Sequence, residues 1–139
     1  MISPIDIISE IERNARKQIN KGNNMEAQKL LLNALKSIKD ENFLDNELPD
    51  IAFILKKIHA DFLAIKDYDG GFQSLYLIHK IMRGKLSITN DLKNYLNKIP
   101  ENYDVSKYNV EIREMAKNNW EIIELLKIIE ENYKKKISN

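Results

Sequence analysis

A chain of 139 residues, with 43% hydrophobic and 31% charged side chains, has the size of one compact domain and is too apolar to be disordered. Lysine and arginine number 22 against 21 aspartates and glutamates, so a net charge of +1 demands no polyanionic partner. The absence of cysteine excludes a disulfide framework, a thiolate metal site and a cysteine nucleophile.

Four glycines and three prolines leave few places to turn, which favours long helices over many short strands. The opening stretch, MISPIDIISEIERNARK, carries no positive leader, and Asp6, Glu10 and Glu12 interrupt its apolar positions, so it does not read as a signal peptide. No apolar run approaches the roughly 18 residues that span a bilayer. A cytoplasmic protein without membrane contact is expected.

Ser3 and Pro4 open the first helix as N-cap and first helical residue. Ile8, Ile11, Ala15 and Ile19 form its stripe, and Gly22 ends it. Asn24 is placed to cap a second helix to about Ile38, with Ala27, Leu31, Ala34 and Ile38 on one face. Leu32 and Leu35 widen that face, so cover on two sides is expected. Residues 40–50 form a polar connection whose Phe43 and Leu44 should pack back onto the core.

A third helix follows Pro49, with Ile51, Ile54, Leu55, Ile58, Phe62 and Ile65 at helical spacing. KDYDGG at 66–71 is the clearest turn, and a fourth helix carries Phe72, Leu75, Ile78 and Met82 to Gly84. Ser87 or Thr89 should cap a short helix over 89–99 with Leu92, Tyr95 and Leu96, closed by Pro100. From Tyr108 to Tyr133, apolar residues alternate steps of four and three around a single Asn119. That phase predicts one long C-terminal helix over 105–136 with a coiled-coil-like seam, a candidate homodimer contact, in preference to the competing reading that breaks it at Asn118 and Asn119 into a hairpin. The whole is expected to be a single all-α domain over 1–139: a hairpin at 3–39, a second at 51–83, then the short and long helices. It would be either a stack of antiparallel αα-hairpins or a bundle of six to seven helices.

The two hairpins align with each other. Ile11–Ile38 and Leu55–Met82 are each helix, tight polar turn, helix. Ala27 and Gly71 correspond at the start of the second helix, Leu31 and Leu75 one turn on, then Ala34 and Ile78. Small residues there let two helices cross closely. The pattern resembles the tetratricopeptide repeat, through Ile11, Ala15, Ala27, Leu31 and Ala34 in the first unit and Leu55, Ile58, Phe62, Gly71 and Leu75 in the second. It departs from that family at Asn14, Gln18 and His59, and its units stand 44 residues apart where the family's period is about 34. The resemblance implies a groove lined by the first helix of each unit, with Arg16, Lys17, Phe53 and Lys57 as contacts. The family's carboxylate-clamp residues are not matched. KGNNMEAQKLL alone also resembles translin-type helical nucleic-acid-binding proteins.

No catalytic constellation is legible. His59 and His79 are the only histidines, with Asp61 the only obvious third ligand, and each is better read as a core-edge residue than as a metal ligand. Asp67, Asp69 and Gly70 begin like a calcium loop, but Gly71 and Ile78 stand where its later oxygen ligands belong, so the carboxylates are expected to cap the fourth helix. No metal, cofactor or catalytic residue is therefore assigned, and an enzyme is not expected.

The expected function is a non-catalytic protein–protein interaction or scaffolding module whose partner lies in the helical groove, with Trp120 a further interface anchor if exposed. The alternative is an all-α accessory subunit of a nucleic-acid-processing complex. It would use a basic face built from Arg13, Arg16, Lys80, Arg83, Lys85, Lys134, Lys135 and Lys136.

Overall fold

A computed structural model describes residues 2–138, and among these the regular structure is all helical: seven α-helices and two short 3₁₀ turns. Where the length suggested one domain, the chain packs as two compact units, residues 1–83 and 84–139. The boundary falls between two successive residues of positive φ, Arg83 at 53° and Gly84 at 71°, a combination that no helix can continue through.

The first unit holds helices α1 (Pro4–Asn20), α2 (Asn24–Asp40), α3 (Leu48–Ala64) and α4 (Tyr68–Ile81). Ser3 Oγ accepts from the Asp6 amide and Pro4 takes the first helical position, as the sequence requires. Gly22, at φ 81°, turns the chain out of α1. The cap of α2 differs from expectation: Asn23 occupies that position and Asn24 is already helical. Asn23 instead donates from Nδ2 to Gln18 Oε1 at 2.8 Å, across the turn. Leu35 is buried but Leu32 is half exposed, so α2 is covered on one broad face rather than two. The connection is shorter than 40–50, because a 3₁₀ turn at Asp45–Glu47 leads into α3 at Leu48. Its Leu44 is exposed, and only Phe43 tucks partly in.

Helix α3 organises the unit. Ile51, Ala52, Ile54, Leu55, Ile58, His59, Asp61 and Phe62 are all buried, a band too wide for one neighbour. α1, α2 and α4 all pack on it, while α1 and α2 also pack on each other. The two hairpins are tied further by Gln28 Nε2, which donates to Asp67 Oδ2 at 2.8 Å; the other oxygen of Asp67 caps α4 at the Gly70 amide. A close crossing exists at Gly70, the neighbour of Gly71: a Cβ on Gly70 would stand 2.7 Å from Phe62 Cγ and closer still to two other ring carbons. Gly71 presents its carbonyl to His59 Nδ1 at 2.7 Å.

The second unit contains α5 (Thr89–Lys98), a 3₁₀ turn at Val105–Tyr108, α6 (Asn109–Ala116) and α7 (Trp120–Ser138). Neither Ser87 nor Thr89 caps α5; Ile88 holds the N-cap position without a side-chain bond. The continuous helix over 105–136 is not formed. Lys117 (φ 48°) and Asn118 (φ 66°) are both left-handed, and α6 and α7 pack on each other as a continuous rod could not. Asn119 is no seam residue: its Oδ1 accepts from the Ile122 amide at 3.3 Å and caps α7. The homodimer seam read across residue 119 loses its basis with this break. The long C-terminal helix is α7 alone.

The break can be tested by substitution. Asn118→Val should cost about 1–2 kcal/mol in urea or thermal unfolding, and Asn118→Gly nothing or a slight gain, because only glycine and asparagine sit easily at positive φ. In a continuous helix the order would reverse, since valine is the better helix former of the two.

Candidate functional site

The stripe that α1 buries runs Ile8, Glu12, Ala15, so an acid stands at the centre of an apolar face. Glu12 is 1% exposed. Across from it on α3 lies Asp61, 7% exposed. Glu12 Oε2 and Asp61 Oδ2 are both buried, and neither has a hydrogen-bond partner. Two acids facing each other out of water favour a proton on one of them. Burial, then the neighbouring Glu12 carboxyl, push the Asp61 carboxyl up to about 8, against the lowering effect of Arg16 and Lys57.

The flanking cations are positioned by helical spacing. Arg16 lies one turn after Glu12 and donates from Nη2 to Glu12 Oε1 at 2.8 Å while staying half exposed. Lys57 lies one turn before Asp61, and Phe53 one turn before Lys57, 62% exposed. Lys57 Nζ stands 4.6 Å from the centre of the Phe53 ring. The α1–α3 face thus presents two cations, one of them against an aromatic ring, near a buried pair of acids.

Of the residues expected to line a groove, Arg16 and Lys57 act on the same carboxyl and Phe53 adjoins Lys57. Lys17 is exposed and, one residue beyond Arg16, points about 100° away around α1. Trp120, the first residue of α7, is 70% exposed and stands in the second unit. Sequence reading passed over Glu12 as an interruption in a leader and noted Asp61 only as a third ligand for two histidines. The available signal was an acid at a stripe position between Ile8 and Ala15.

In the first unit Arg13 pairs with Glu10 at 2.6 Å on α1, while Lys80 stands in the last turn of α4 and Arg83 just beyond it. In the second unit Lys85 is exposed and Lys136 lies 3.5 Å from Glu101. Lys134 borders a groove with Asp104, Asn109, Glu130 and Tyr133, while Lys135 is exposed.

Chemically, the buried pair can keep a proton on Asp61 above the usual carboxylate range. His59 is turned to the α4 side of α3, toward the Gly71 carbonyl. Among the described residues no three His, Asp or Glu side chains are grouped to hold a metal ion, and no helix is long and apolar enough to cross a membrane. No protein-family model, curated protein or solved structure matches the chain.

Proposed function

We propose that the protein is a non-catalytic interaction module that binds a segment of another protein on its α1–α3 face. The observation that carries this reading is Phe53, a large aromatic left 62% exposed with the Lys57 ammonium over its ring. Exposed aromatic side chains are among the residue types that dominate binding energy at interfaces. The packing of α1 on α3 also supports the reading, because it sets the first helices of the two hairpins side by side, as a repeat-like groove requires.

The test is capture of the tagged chain from its host extract, treated with nuclease, beside a Phe53→Ser/Lys57→Ser variant. The expected result is a protein that survives nuclease treatment and is lost with the variant. A partner that vanishes on nuclease treatment and ignores the variant would replace this reading with the nucleic-acid accessory role.

A further inference from the structure

We propose that the outward face of α2 docks the protein on an anionic lipid surface, with Lys29, Lys36 and Lys39 at the headgroups and Met25 and Leu32 entering the apolar edge of the leaflet. The contact is carried by α2 and is separate from the α1–α3 face. It lies on a bilayer rather than across it, since no described helix is long and apolar enough to cross one.

Met25, Lys29, Leu32, Lys36 and Lys39 follow one another at steps of four and three. At the helical rotation per residue they share about 80° of the circumference and run about 21 Å along the axis. They stand on the far side of α2 from the buried Ala27, Ala34 and Ile38. All five are exposed, Met25 at 78% and Leu32 at 49%. Two exposed apolar side chains by themselves mean little; the lysines between them decide the reading. Among the described residues no ion pair engages Lys29, Lys36 or Lys39, whereas Arg13, Arg16, Lys93 and Lys127 each lie against a carboxylate. Lys21, exposed in the turn before α2, adds a fourth cation at the N-terminal end of the stripe.

The neighbouring acids select among anionic occupants. On α2 itself, Glu26 lies about 100° round from Met25 and Asp40 is the last residue. Across a groove bordered by Leu32, Lys36 and Lys39 stand Asp69 and Asp67, the latter engaged by Gln28 and the Gly70 amide. An acidic protein segment laid in that groove would meet Asp69. A nucleic acid would use the lysines and leave Met25 and Leu32 in water. A planar anionic surface touches the crest of the helix alone, where apolar and basic residues alternate and no acid intervenes. Lysine stems are long enough to keep the ammonium groups among the phosphates while the methionine and leucine go deeper.

The test is co-sedimentation with vesicles of phosphatidylcholine containing about 30% phosphatidylglycerol, beside vesicles of phosphatidylcholine alone. The chain should pellet with the anionic vesicles only, and its affinity should fall on the order of ten-fold between about 50 and about 300 mM salt. Lys29→Ala/Lys36→Ala should weaken binding on the order of thirty-fold, and Met25→Ser/Leu32→Ser about ten-fold. All four positions are exposed, so both variants should keep the wild-type circular dichroism. Phe53→Ser/Lys57→Ser should bind vesicles as the wild type does, which separates this face from the α1–α3 groove. The chain has no cysteine, so Met25→Cys can carry a single environment-sensitive dye, whose emission should shift to the blue on anionic vesicles. No binding to those vesicles, equal binding to both kinds, or wild-type binding by Lys29→Ala/Lys36→Ala would overturn the proposal. If vesicles fail while that variant loses a protein captured from nuclease-treated extract, the lipid occupant is wrong and the face belongs to an acidic protein.

Discussion

Asp61→Asn is expected to stabilise the protein increasingly as pH rises from about 4 to about 8, relative to the wild type, and by a constant amount above that. In the unfolded chain Asp61 titrates near its ordinary value of 3.8, whereas in the folded protein burial and Glu12 hold it protonated up to about 8. Between those limits the folded state binds a proton that the unfolded state has released. Stability therefore falls with rising pH through this window, by up to about 1.4 kcal/mol per pH unit. The sign is opposite to that of a carboxylate held ionised by a cation, whose contribution is lost on acidification. Asparagine removes the titration and keeps the size of the side chain. Urea unfolding of both proteins across the pH range measures the difference. A gap between them that stays constant with pH would mean that Asp61 ionises normally in the folded state. Glu12→Gln should flatten the same slope from the other side of the pair, and that agreement would assign the proton to the pair rather than to a distant group.

Gly70→Ala is expected to destabilise the first unit by about 2 kcal/mol, even though alanine is the better helix former by about 1 kcal/mol. The added methyl would meet the Phe62 ring at three of its carbons. Phe62 is fully buried on α3, so the ring has no free space to enter. Moving α4 away instead would disturb two polar contacts in the same turn: Ser74 Oγ donating to the Gly70 carbonyl at 2.9 Å, and His59 with the Gly71 carbonyl. Combining Gly70→Ala with Phe62→Leu separates steric overlap from other causes. The double variant should be more stable than the sum of the two single losses by about 1 kcal/mol or more. Simple additivity would show that the α3–α4 crossing tolerates the methyl.

How much of this was legible before the structure differs from element to element. The first hairpin was readable because each of its signals is local. Ser3 and Pro4 start a helix, Gly22 stops one, and Ile8 and Ala15 repeat at the helical period. The end of α4 and the short α5 followed from the same kind of signal. The helix over 105–136 failed for an equally definite reason. A turn made by Lys117 and Asn118 advances the chain without disturbing the four-and-three rhythm of Met115, Asn119 and Ile122, so periodicity alone cannot see it. The dipeptide Asn118–Asn119 was the only trace, since asparagine both tolerates positive φ and caps helices.

The sequence by itself determined the all-α class, most helix limits, and the stripes that each helix buries, because these depend on spacing within a dozen residues. It also placed Arg16, Phe53 and Lys57 on the first helices of two matching hairpins. Only the tertiary structure decided that Glu12 and Asp61 meet. They lie almost fifty positions apart, and each looks like an ordinary surface acid until α1 is laid on α3. A carboxyl gains its raised affinity for a proton from the loss of water and the approach of a second carboxyl, and both arise from packing between elements rather than from any feature of the local chain.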